Sequence, residues 1–134
     1  MAANRILTDE GWEGRVRDKL GVTEKELPNA ALNQPDVITV AEAKICRALP
    51  NYAELAGDDR TFLEAATVCM VALQVIDSMP TRLPARMQGP GMEVEVDIDW
   101  QERRRQLETE RNDYLEMIQN VTPPPGFRCI GPKG

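Results

Sequence analysis

Apolar residues recur along this chain at two different periods, and the change of period separates its parts. Trp12, Val16 and Leu20 fall every fourth position, which predicts a helix over about 9–20. Thr8 is expected as its N-cap, Asp9 and Glu10 suit the positive helix start, and Gly21 suits a left-handed C-terminal position. Thr23-Glu-Lys-Glu26 reads as a capping box for a single turn, stopped by Pro28, with a loop over 28–36. A second helix starts at Thr39 or a few residues earlier. Thr39-Val-Ala-Glu42 is a second capping box, Ala41, Ile45, Ala48 and Leu49 form the inner face, and Pro50 is the stop. After a turn at Gly57, Asp58 or Asp59 is expected to cap a third helix over about 59–78. Between Ala65 and Ile76 only Thr67 and Gln74 are polar, so this helix needs neighbours on several sides. Pro80 is expected to end it. A fourth helix over about 99–119, capped by Asp97 or Asp99, carries a narrow stripe of Trp100, Leu107, Tyr114 and Ile118. Charge covers the rest of its surface, so it packs on one side only.

Between the third and fourth helices the period drops to two. Residues 80–91 hold Pro80, Pro84, Gly89, Pro90 and Gly91 and read as an exposed linker. Met92-Glu-Val-Glu-Val-Asp-Ile98 then alternates strictly, which predicts a strand with Met92, Val94, Val96 and Ile98 on its buried face. Past the fourth helix, Pro123, Pro124 and Pro125 predict an extended polyproline arm, with Phe127, Arg128 and Ile130 beyond it. The pattern is thus mainly α: a bundle of about four helices over 1–121 with an extended β insert at 80–98, and an extended arm over 122–134.

With 134 residues, 42% of them apolar and 28% charged, the chain has the size and composition of one folded domain. No secretory signal and no membrane span are read, so the chain is expected to stay where it is made. The net charge of −6 argues against direct binding to duplex DNA. Histidine is absent, which excludes His-dependent hydrolysis and His-ligated zinc. Cys46, Cys69 and Cys129 lack CxxC spacing, and the first two fall on apolar helical faces, where a thiol serves as a small hydrophobe.

No constellation supports catalysis. Asp97-x-Asp99-x-Gln101 resembles the start of a calcium loop, but Glu102 stands where its glycine must be. Arg103-Arg104-Arg105 lies among Glu102, Glu108 and Glu110, so intrahelical pairing or an acidic partner fits it better than a phosphate. A metal- and cofactor-free protein without enzymatic activity is expected. Two features point to assembly instead. The strand at 92–98 needs a pairing partner, and few other segments offer one, so contact with another subunit is favoured over a small intramolecular hairpin. The arm suits docking in a groove on a partner, the alternative being a disordered end.

The order of these elements resembles the head–tail connector (adaptor) proteins of tailed bacteriophages. The likeness rests on the opening helix Thr8-Asp-Glu-Gly-Trp-Glu-Gly-Arg-Val-Arg-Asp-Lys-Leu20, the Ala-rich Val40-Ala-Glu-Ala-Lys-Ile-Cys-Arg-Ala48 and the apolar third helix. The extended insert Gly89-Pro-Gly-Met-Glu-Val-Glu-Val-Asp-Ile98, the long last helix and the trailing arm complete it. The resemblance implies a structural virion protein made in the host cytoplasm. It would form a ring, a dodecamer by analogy, beneath the portal protein, prolong the DNA channel and meet a downstream tail or stopper protein. DNA would be passing cargo only. By the same analogy the arm would engage the portal and the insert would contact neighbours. The rival reading is a small cytosolic helical adaptor or regulator that binds a protein partner.

Overall fold

A helix with almost no polar face must be enclosed, and the fold is organised around that requirement. The computed structural model describes residues 4–82 and 99–119, and among these the regular structure is helical. In chain order the α-helices are α1 (Trp12–Leu20), α2 (Asn29–Leu32), α3 (Val40–Ala48), α4 (Asp58–Val75), α5 (Met79–Arg82) and α6 (Trp100–Met117). α4 is the central one, packed against α1, α3 and α6. Leu63, Ala66, Thr67, Val68, Cys69, Met70, Val71, Ala72, Leu73 and Val75 are all buried. Its two polar intruders are accommodated locally. The Thr67 hydroxyl donates to the Leu63 carbonyl at 2.8 Å, and Gln74 accepts from Lys44 Nζ at 2.9 Å. The stretch Asp58–Ser78 is long and apolar enough to cross a membrane by length and composition, and here its apolar side chains form the bundle core.

The helical stripes read from the sequence face this core. Trp12, Val16 and Leu20 are buried on α1. On the last helix Leu107 and Ile118 are buried, while Trp100 and Tyr114 pack at its edge. Gly21 takes the left-handed conformation at φ 71°, so its N–H and that of Val22 both reach the Arg17 carbonyl. Asp99 caps α6 by accepting from the Glu102 N–H at 3.1 Å. Thr23 and Glu26 form the expected reciprocal box around one turn. Leu49 leaves the helical conformation ahead of Pro50, at φ −131° and ψ 82°, which closes α3, as the residue before a proline is steered away from the helix.

Several expected boundaries move. Thr8 is not the cap of α1, because the helix begins at Trp12 after Gly11 in a left-handed conformation at φ 90°. The Thr8 N–H instead turns back onto the Ile6 carbonyl. Residues 28–36 are not a plain loop: they hold α2 and, from Pro35, a π-helical turn over Pro35–Thr39 that runs straight into α3. Proline is harmless at a first helical position. Thr39 is therefore already helical and caps nothing. Neither Asp58 nor Asp59 caps α4. Gly57, at φ 63°, occupies that position and both acids sit in the first turn, where the helix dipole favours them. Pro80 does not end the helix either. A 3-10 turn over Ile76–Ser78 leads into α5, which holds Pro80 in its first turn. Cys46, expected to be buried, is half-buried. The strand expected at 92–98 and the arm at 122–134 lie outside the described residues.

Glu42 has a different role from the capping one expected of it. It lies on the inner face of α3, between Ala41 and Ile45, and is 3% exposed. Burying a carboxylate is costly unless its oxygens are satisfied. Here they accept three backbone N–H groups of the N-terminal segment: Arg5 at 2.8 Å, Ile6 at 2.8 Å and Leu7 at 2.9 Å. From α4, Arg60 donates to the Ile6 carbonyl at 2.7 Å, while Ile6 and Leu7 are themselves buried. Three otherwise orphaned donors and one buried acid thus satisfy one another.

Glu42→Gln should lower stability by on the order of 2 kcal/mol, because an amide keeps one acceptor oxygen but turns an N–H pair toward backbone donors. Urea unfolding followed by far-UV circular dichroism measures this; a midpoint equal to that of the parent would contradict it.

Candidate interaction surfaces

The residues singled out as contact sites, Met92, Val94, Val96 and Ile98 in the insert and Pro123, Pro124, Pro125, Phe127, Arg128 and Ile130 in the arm, all lie outside the described residues. The helix that joins these two segments is described. α6 runs antiparallel to α4. Near its start Arg104 pairs with Asp77 at 2.6 Å, and past its end the Gln119 N–H reaches Asp59 at 3.1 Å. One face of α6 is spent on these contacts. An adjoining face carries Glu102, Arg105, Gln106, Thr109 and Asp113, which with Glu110 line an open, shallow depression.

The three consecutive arginines have separate tasks. Arg105 pairs with Glu102 one turn back, the intrahelical pairing expected of the cluster. Arg104 reaches Glu108 at 3.7 Å as well as Asp77. Arg103 was not singled out from its neighbours in the sequence, yet its Nη1 donates to the Lys19 carbonyl at 2.9 Å. That carbonyl is among the last of α1, where no intrahelical donor is available, and a cation is favoured there by the dipole. A single guanidinium thus caps one helix from another.

Lys19, at the same end of α1, pairs with Glu110 on α6, which also accepts from the Tyr114 hydroxyl at 3.1 Å. The Tyr114 ring stacks on Phe62 of α4 at 6.4 Å between centroids. Burial works against the charge on Lys19, but the hydrogen bond and attraction from Glu110 outweigh it, and the pKa is raised. Beneath this group lies Cys69, fully buried. Burial, helped by the negative charge of Glu110, pushes its thiol pKa from 9.0 to about 11. A thiol held neutral in this way is a packing group and a poor nucleophile.

A broader cleft lies between the N-terminal segment, the start of α1 and α2, lined in part by Asn4, Trp12, Arg17, Asn29 and Asn33. Several of its polar groups are engaged. Arg17 donates to the Leu27 carbonyl at 3.0 Å and to Asn29 at 2.8 Å, and Asn33 donates to Glu13 at 2.8 Å. Among the described residues no group of three or more Cys, Asp or Glu is placed to hold a metal ion. Asp99 of the calcium-loop-like run is the cap of α6. Comparison with family models, with curated proteins and with solved structures finds no match to this chain.

Two outcomes follow from these contacts. Arg103→Ala should cost about 1–2 kcal/mol, since a charged hydrogen bond and a helix cap are lost together; equilibrium unfolding equal to that of the parent would exclude the cap. In the unfolded chain the Cys69 thiol ionises near its ordinary value, whereas the folded chain keeps the proton up to about pH 11. The folded state therefore binds more protons between pH 9 and 11, and stability falls as pH rises through that window. Lys19 acts in the same direction, as its favourable charge is lost through its raised pKa. In Cys69→Ala the decline in urea midpoint over this window should be shallower than in the parent, and an identical slope would refute the assignment.

Proposed function

We propose that this protein is a non-enzymatic structural adaptor of the head–tail connector type. In this reading it forms a ring on the portal of a tailed bacteriophage, links it to the tail-side proteins and prolongs the DNA channel. The observation that carries the reading is the placement of α6. The helix has 18 residues and spans about 27 Å, and it is fixed along the bundle by its inner face. The chain that precedes it is the alternating segment 92–98, and the chain that follows it is the proline arm. The two segments proposed for contact are therefore joined in sequence to opposite ends of one anchored helix. This suits a subunit that meets a neighbour at one level and the portal at another. The helical order, with an enclosed central helix and a last helix packed on one side, supports the same reading. The negative net charge of −6 suits a wall that DNA slides past without adhering.

In this proposal Met92, Val94, Val96 and Ile98 mediate contact between subunits, and Pro123, Pro124 and Pro125 direct Phe127, Arg128 and Ile130 into a groove of the portal. Burying two apolar anchors contributes about 1.5–3 kcal/mol each, so one arm binds weakly and the ring binds through many.

Co-purification with portal rings tests the proposal. The full chain should sediment with them, and the chain lacking residues 122–134 should stay folded and soluble but no longer attach. Val94→Asp combined with Val96→Asp should abolish ring formation while changing stability by no more than about 0.5 kcal/mol, as surface substitutions do. Attachment of the truncated chain at the parent's level would remove the arm from the docking surface. Failure of the full chain to bind portal rings would sink the connector reading itself.

A further inference from the structure

The seat of the N-terminal segment is built like a peptide-binding site. Glu42 on α3 accepts the N–H groups of residues 5, 6 and 7, and Arg60 on α4 donates to the carbonyl of residue 6. Ile6 and Leu7 are 0% and 2% exposed. Backbone is therefore read by an acceptor on one helix and a donor on the next, and two consecutive aliphatic side chains are taken into the core. The segment is bent, so that three successive N–H groups converge on one carboxylate, and it is held as a bound peptide is, with main-chain bonds for affinity and side-chain burial for selectivity. The occupant is covalently continuous with α1 through only the short turn Thr8–Gly11. Gly11 there holds a left-handed conformation that a released linker need not keep.

We propose that the α3–α4 seat is a binding site for a bent aliphatic segment, filled within the chain by residues 5–7, and that the same segment of a second copy can fill it. The second copy is the indicated occupant because it carries the one sequence whose fit to the seat the structure displays, and exchange recovers every contact that is given up. The covalent tether gives the chain's own segment a high effective concentration, so a separate segment competes well only when the resident one is weakened. The inference does not depend on the connector reading.

The probe is a blocked peptide of residues 4–11, titrated against the full-length protein and against full-length Ile6→Ala, in which the seat is unaltered. Saturable binding at least tenfold tighter to Ile6→Ala than to the parent is expected. N-methylation of the peptide at its Ile6 and Leu7 nitrogens should weaken binding at least tenfold. If Ile6→Ala does not fold alone, the peptide should restore its helical signal and a cooperative melt. No saturable binding and no restoration, or binding indifferent to N-methylation, overturns the proposal. The second copy is tested by mixing Ile6→Ala chains, whose seat is intact, with Glu42→Gln chains, whose segment is intact. Light scattering should show a mixed pair that neither chain forms alone, and its absence overturns a second copy as occupant.

Discussion

The enclosure of α4 is the constraint from which the remaining arrangement follows. An 18-residue helix with buried residues on nearly every side needs cover from more than two neighbours, and among the described residues no other helix has that demand. α1, α3 and α6 each bring one apolar stripe to it. Each of these helices is amphipathic because it has only one side to cover. The short turns at 29–32 and 52–54 place Leu32 and Leu55 against the same core.

Helices alone leave gaps at the ends of such a bundle, and polar side chains close them. Glu42 draws the N-terminal segment over the packed α3 and α4, so the chain's first described residues become part of the core. Arg103 and Lys19 join the end of α1 to α6. The polar contacts therefore do more for geometry than for net energy. Each one selects which element lies beside which, while burial of aliphatic side chains supplies most of the free energy.

Much of this was legible in the order of residues. The every-fourth-position stripes located α1, α3 and α6, the apolar run identified α4 as central, and Gly21, Pro50 and Asp99 marked true helix ends. What failed was the capping expected of Thr8, Thr39 and Asp58 or Asp59. Thr39 and Glu42 have the spacing of a capping box, yet Pro35 starts the helix a turn earlier, which frees Glu42 for a distant partner. The warning was present in the pattern, since Glu42 shares its face with Ile38, Ala41 and Ile45, and a carboxylate on an inner stripe needs a buried partner. That the partner would be the backbone of residues 5–7 follows from tertiary packing and could not be read locally. Arg103 is a similar case, indistinguishable from Arg104 and Arg105 until α1 and α6 are placed together. The contact segments, Met92 to Ile98 and Pro123 to Ile130, rest on sequence alone.

The antiparallel pairing of α6 with α4 also has a mechanical meaning. A pull on α6 along its axis, with the rest of the bundle held, would act parallel to its interfaces with α1 and α4. The bonds from Arg103 to Lys19, Arg104 to Asp77, Glu110 to Lys19 and Gln119 to Asp59 would then be loaded together, in shear, not opened one after another as in unzipping. Parallel loading divides the force among them, so the bundle is stiffest along the axis of α6 and more yielding to a pull that peels one end of the helix away.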